Sequence, residues 1–209
     1  MDPEQVLEKV AHEVSVCEKC DLQFSRKKGV PGEGPSEAEI VFIGEGPGFH
    51  ENMQGRPFVG PAGEFLEELL GTIGMTREDV FITNVVKCRP PGNRDPAPEE
   101  LKACSPYLDR QLQAIKPKVI VTLGRFSMAR YIPHAKISEI HGQPIKVHGM
   151  LVVPFYHPAA ALHRPSLRPV VEEDFAKLPE LIQNAEAAPI FEKLEVVDKN
   201  DQAEQLSMF

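Results

Sequence analysis

The chain has 209 residues, 26% of them charged, with a formal net charge of -8. That length suits one sizeable core and leaves little for a second, and the absence of any run of about 18 apolar residues excludes a membrane-spanning helix. An acidic balance argues against a general nucleic-acid coat, yet half the excess sits after Ala185, where Glu186, Glu192, Glu195, Asp198, Asp201 and Glu204 face only Lys193 and Lys199.

The N-terminus, MDPEQVLEKV, is polar and acidic, unlike a secretory or transit leader. A cytoplasmic protein is expected, and its four cysteines are expected as thiols for metal binding or catalysis, not as disulfides.

From Pro3 to Val16 the spacing of Val6, Val10 and Val14 predicts a short amphipathic helix that ends at Cys17. Four β-branched or aromatic runs follow, at 39–44 (EIVFIG), 80–86 (VFITNVV), 119–124 (VIVTLG) and 151–156 (LVVPFY), each closed by turn residues. Helical periodicity lies between them, at 63–74 and 98–115. This alternation predicts an α/β fold, a three-layer αβα sandwich around a central four-stranded parallel sheet. Pro and Gly clusters at 29–35 and 90–98 are read as loops within one domain, residues 1–184. Residues 185–209 are read as a mobile acidic tail.

Cys17 and Cys20 form a C-x2-C pair, while Cys88 follows the second strand and Cys104 lies in the next helix. Four thiolates suit zinc or an iron–sulfur cube. A zinc ribbon would place a second close pair nearby, so the spacing favours a cluster, with unrelated buried thiols as a further alternative.

In open parallel sheets ligands bind beyond the carboxyl ends of the strands, and those ends carry GEGPG (44–48), TNVVKC (83–88), LGR (123–125) and YHP (156–158). GEGPG lacks the third glycine of a dinucleotide fingerprint, because that position is Phe49, and there is no phosphate-binding P-loop. Asn84 closes a buried strand, where its amide can donate to and accept from a nucleobase edge; a turn-capping asparagine is the other reading. His157, before the helix-starting Pro158, can donate to an oxyanion or be purely structural. Phe58, in GRPFVG, can stack on a base or pack into the core.

Taken together, GEGPG, GRPFVGPAG, FITNVVKCRPP (81–91) and HPAA (157–160), in that order, resemble the family 4 uracil-DNA glycosylases from about Val16 to Ile182. The resemblance implies excision of uracil from single- or double-stranded DNA, which leaves an abasic site and starts base excision repair. It implies a pocket formed by Gly44, Glu45 and Gly46, with Phe58 stacked on uracil, Asn84 reading its polar edge and His157 near its O2. It also implies that Cys17, Cys20, Cys88 and Cys104 ligate a [4Fe-4S] cluster of structural purpose. Glu45 and Glu51 are the candidates to orient water or stabilise the sugar cation.

Gly46 stands where other branches of the superfamily place a water-orienting Asp, so weak water activation is expected. Phe49 and His50 replace residues that are usually acidic, and Ala161 stands where relatives often have Leu. The wedge that fills the vacated stack is therefore assigned to Leu162 or Arg164, with phosphate contact as the other role for Arg164. No basic loop is inserted after Cys88, so turnover and not covalent trapping is expected.

The C-terminal QLSMF resembles the short peptide that bacterial proteins insert into the sliding clamp, with Gln205, Leu206, Met208 and Phe209 as the contact residues; an incidental apolar terminus is the alternative. The resulting expectation is a monomeric, nucleoid-associated enzyme. A nucleic-acid-binding module without catalysis is the rival reading, and it would have no need of Asn84 and His157.

Overall fold

A computed structural model of the chain describes residues 2–184. The acidic tail and the QLSMF peptide, including Gln205, Leu206, Met208 and Phe209, lie outside the described residues. Helix α1 (Pro3–Ser15) leads through the single turn α2 (Leu22–Ser25) into strand β1 (Ile40–Gly44). Helices α3 (Phe49–Gln54) and α4 (Pro61–Thr72) connect β1 to β2 (Phe81–Asn84), and α5 (Pro98–Ile115) connects β2 to β3 (Val119–Leu123). The chain continues through α6 (Arg125–Ala129), α7 (Ile137–Ile140), β4 (Ile145–Val147), β5 (Met150–Phe155), α8 (Pro158–His163) and α9 (Arg168–Gln183).

Among the described residues the sheet has five strands in the order β2-β1-β3-β5-β4, so the expected four-stranded, all-parallel sheet needs one correction. β1, β2, β3 and β5 are the anticipated parallel strands, whereas β4 runs antiparallel to β5 at the sheet edge. β4 has only three residues, with Lys146 at its centre, too short for a hydrophobic run to stand out. It is joined to β5 by a two-residue turn in which His148 and Gly149 both have positive φ, 49° and 81°, as the tightest hairpin connection requires.

Side chains of the buried strands alternate between two cores, although each strand reads as continuously apolar. Ile40, Phe42, Val121, Val153 and Phe155 pack against α4 and α9, where Phe42 stacks on Phe175 with ring centroids 5.8 Å apart. Val41, Ile43, Ile120 and Val152 pack on the opposite face with Leu108 and Ile115 of α5. A smaller cluster of Val10, Val14, Val86, Cys104 and Tyr107 fastens α1 to α5 and to the segment after β2. Because four strands are parallel, their carboxyl ends emerge on one edge, and the loops that follow β1, β2, β3 and β5 meet there. No helix among the described residues is long and apolar enough to cross a membrane.

Candidate active site and cysteine cluster

β1 and β2 end side by side, with Gly44 paired to Asn84 in the register of the sheet. A Cβ on Gly44 would lie 2.4 Å from Asn84 Oδ1 and 2.8 Å from Phe58 Cζ, so the absent side chain is what lets the Asn84 amide and the Phe58 ring close over the strand end. Beyond it the two loops stay paired, as the Val85 and Val86 amides donate to the carbonyls of Gly44 and Glu45 at 3.0 and 3.1 Å. A Cβ on Gly46 would meet Val86 Cγ2 at 2.7 Å, which explains the second glycine.

Asn84 is 2% exposed, and its Oδ1 has no hydrogen-bond partner among the described residues. Leaving such a group unmet in a buried position costs about 1–3 kcal/mol, which a ligand that offers an N–H would recover. Its backbone is held from behind by Lys87, a fully buried lysine whose Nζ donates to the Asn84 carbonyl at 2.9 Å, to Gln111 Oε1 at 2.7 Å and to Thr83 Oγ1. Burial pulls the Lys87 ammonium down to a pKa of about 7. Gln111 in turn donates to the Pro31 carbonyl at 2.8 Å, so the strand end is tied to α5 and to the glycine-rich loop before β1.

Phe58 is buried with φ at 50°, a conformation rare for a residue with a Cβ. Two sets of hydrogen bonds enforce it. Arg77 donates to the carbonyls of Pro57 and Phe58 at 2.6 and 2.8 Å, and Glu51 Oε1 accepts from the amides of Val59 and Gly60 at 2.9 and 3.0 Å. Gly63 admits the close approach of this loop, since a Cβ there would fall 1.9 Å from the Phe58 carbonyl oxygen. The Phe58 ring rests against His157 with centroids 5.4 Å apart and planes 23° apart. That spacing is too narrow for a planar ligand to enter between the two rings.

His157 is the N-cap of α8, and its Nδ1 accepts from the Ala159 amide at 3.1 Å. That bond leaves the proton on Nε2. Burial pulls the His157 pKa down to about 4, against the opposing pull of the Glu51 carboxylate, so the ring is a neutral donor at pH 7. Glu45 shifts the other way, pushed up to about 7 by burial and by the Asp95 carboxylate, with Arg125 partly offsetting both.

Glu45, Gly46, Glu51, Phe58, Asn84 and His157 line one cavity, so the residues singled out in the sequence are brought together, with Gly44 forming the floor beneath Asn84. Asn93 and Arg94 line the same cavity, in a loop whose dominant sequence signal is its Pro and Gly content. The signal available is polar: GNRD sets three hydrogen-bonding side chains in the loop between β2 and α5. Leu162 and Arg164 are exposed near the end of α8, outside the cavity lining, and Arg164 forms no side-chain ion pair or hydrogen bond among the described residues.

The four cysteines, all free thiols, line a second cavity between α1, α2, α5 and the segment after β2. Donors point at their sulfurs: Arg26 Nη1 lies 3.3 Å from Cys88 Sγ, and the Lys87 amide 3.2 Å from Cys104 Sγ. Burial raises the Cys88 thiol, with Arg26 opposing, and pushes Cys104 up to about 11. Such thiols are poor nucleophiles. Among the described residues no three His, Cys, Asp or Glu side chains converge closely enough to hold a single metal ion; the sulfurs instead surround a cavity.

The sequence profile of the Uracil DNA glycosylase superfamily matches residues 31–182. Curated relatives named type-4 uracil-DNA glycosylase include that of Sulfurisphaera tokodaii, 52% identical over 84% of either chain, and that of Saccharolobus solfataricus, 50% identical over 85% of this chain and 87% of its own. The Archaeoglobus fulgidus relative of the same name is 50% identical over 84% of this chain and 92% of its own. The chain therefore belongs to the uracil DNA glycosylase superfamily and, within it, to the type-4 family.

Glu51 is a brace of the Phe58 loop as much as a wall of the cavity. Glu51→Ala is expected to speed hydrogen exchange of the Val59 and Gly60 amides at least tenfold, because each loses a charge-assisted bond worth about 1.5–3 kcal/mol; amide exchange followed by NMR measures this directly.

Proposed function

We propose that this protein excises uracil from DNA by hydrolysing its N-glycosidic bond, leaving an abasic site for base excision repair. The observation that carries the reading is the buried, unpartnered Oδ1 of Asn84, set beside Phe58 and a neutral His157. The glycosidic bond is inaccessible within a stacked duplex, so the nucleotide must be extruded at a cost of a few kcal/mol. Contact with Phe58 recovers part of that cost.

Uracil offers N3–H to Asn84 Oδ1 and O4 to the amide nitrogen. Cytosine presents the reverse pattern, an acceptor at N3 and a donor at C4, and would leave both Asn84 groups unmatched. A site built on such hydrogen bonds discriminates strongly, since the penalty for burying unpaired groups falls on the wrong base.

As the bond breaks, negative charge gathers on uracil O2 and positive charge on the sugar. His157 Nε2–H is preoriented by the Ala159 amide to meet the oxyanion, a contribution of roughly 3 kcal/mol for one such donor. Ionised Glu45 stabilises the sugar cation and orients water. Glu51 holds Phe58 and adds negative charge to the same wall. With Gly46 in place of an acidic residue, water positioning falls to Glu45.

The [4Fe-4S] cluster belongs to this proposal as a structural group held by Cys17, Cys20, Cys88 and Cys104. Four cysteine thiols line one cavity, with N–H donors directed at the sulfurs of Cys88 and Cys104, a donor set that suits such a cluster. Bound there, it would cross-link α1, α2 and α5 to the segment after Asn84. Iron and acid-labile sulfide analysis of anaerobically purified protein is expected to give about four of each per chain; zinc in their place would overturn the assignment.

Leu162 and Arg164 serve, on this reading, as wedge and phosphate contact. The peptide Gln205–Phe209 is assigned to a sliding clamp on its sequence alone.

Release of uracil from single-stranded and U:G duplex DNA is the direct test. Asn84→Ala and His157→Ala are each expected to lower the single-turnover rate at least tenfold, about 1.4 kcal/mol. No release from either substrate by cluster-loaded protein would overturn the reading.

The pH profile follows from the two shifted groups. The ionised form of Glu45 is the active one, so kcat/KM should fall as pH drops through about 7, tenfold per unit well below it. His157 stays neutral until about pH 4 and contributes nothing to that limb. Glu45→Gln is expected to remove the limb along with most of the rate.

A further inference from the structure

Phe49 is 55% exposed, and Met53, one turn further along α3, is 45% exposed. A single exposed apolar residue needs no explanation, but Phe49 is part of an assembly at the rim of the proposed uracil pocket. It directly follows Gly48, which lines that cavity. The Arg89 guanidinium sits over its ring, 5.4 Å from the centroid. Arg89 Nε donates to Asn93 Oδ1 at 2.7 Å, and Asn93 is itself a cavity residue with φ at 56°. The ring, the guanidinium and the pocket wall are thus connected in series.

Among the described residues the charge of Arg89 is uncompensated. Arg94 is paired with Glu100, and Arg125 with Asp95, close to the same pocket. Arg89 has no carboxylate within ion-pair distance among the described residues, and its hydrogen-bond partner is a neutral amide. A fixed cation beside an exposed aromatic face fits a nucleotide, which offers a planar base and an anionic phosphate a few ångströms apart. Phe49 also stands where the family resemblance leads one to expect an acidic side chain, which would repel that phosphate.

We propose that Phe49 is a stacking platform for the base adjacent to the extruded uracil, and that Arg89 contacts the intervening phosphate. This rests on the uracil reading of the pocket. Extrusion deprives the neighbouring base of its stacking partner, and the Phe49 face supplies a replacement on the β1 side. Exposed Leu162 lies on α8, which follows β5, two strands away in the sheet. Phe49 needs no opposite strand, so it acts on single-stranded DNA as well as on duplex.

The test uses single-stranded oligonucleotides that carry a non-cleavable 2′-fluoro deoxyuridine with 2-aminopurine on one side or the other. The wild-type chain is expected to quench the fluorophore on one flank. Phe49→Ala should lose that quench and bind roughly tenfold more weakly, while Phe49→Trp retains both. Inhibition by free uracil, which occupies only the inner pocket, should be the same in all three proteins. If the wild type releases uracil from DNA but Phe49→Ala quenches and binds as the wild type does, the platform is refuted and the uracil pocket stands. If the wild type neither releases uracil nor responds to free uracil, the pocket reading fails and the platform fails with it.

Discussion

The pairing of Gly44 with Asn84 at the carboxyl ends of β1 and β2 is the constraint on which the rest of the site depends. Parallel strands bring two loops out side by side at one level, and the missing Cβ of Gly44 leaves just enough room for one amide and one aromatic ring above it. The positive φ of Phe58, the Arg77 clamp and the Glu51 brace all keep that ring in this place. Each supporting residue comes from a different part of the chain, so the geometry is over-determined. Non-glycine residues persist at such φ values only under that condition.

Behind the amide lies Lys87, an unusual choice for a fully buried position. Its three acceptors are a side-chain hydroxyl, a backbone carbonyl and a side-chain amide, with no carboxylate among them. Burial without a counter-ion lowers its pKa, and the long stem reaches from the segment bearing Cys88 back to the Asn84 carbonyl. The next residue, Cys88, and the Lys87 amide that donates to Cys104 face the second cavity. One short stretch, from Thr83 to Cys88, thus serves both the Asn84 amide and the cysteine cavity. A structural group bound by the cysteines would stiffen the backbone that carries Asn84 without touching the substrate.

The electrostatics of the pocket separate three roles by environment. Burial keeps His157 neutral, which suits a donor facing a developing anion. Burial and Asp95 keep Glu45 near its midpoint at neutral pH, while Glu51 Oε1 is engaged by the Val59 and Gly60 amides. The two carboxyl groups take different roles because their surroundings differ: Glu45 faces Asp95 and Arg125, Glu51 two backbone amides. The net acidity of the chain is compatible with a DNA substrate because the rim of this pocket carries arginines, and half of the excess negative charge lies in the residues after Ala185.

By itself the sequence determined the four parallel strands, the long helices read at 63–74 and 98–115, the convergence of chemistry on one sheet edge and the type-4 membership. These features follow from local periodicity and from motifs a few residues long, and such signals survive without knowledge of the fold. Strand β4 was hidden because three residues around a central lysine carry no periodic signal, and its pairing depends on a positive-φ turn and on β5 being already in place. The roles of Arg77, Lys87 and Arg89 were equally hidden, since arginine and lysine in a sequence read as surface charge. Only the tertiary structure decided that Arg77 faces two carbonyls, that Lys87 is buried, and that Arg89 lies over Phe49 with no carboxylate partner among the described residues. Packing brings these partners together across 19 residues or more in the first case and 40 in the last, and no local pattern encodes contacts of that reach.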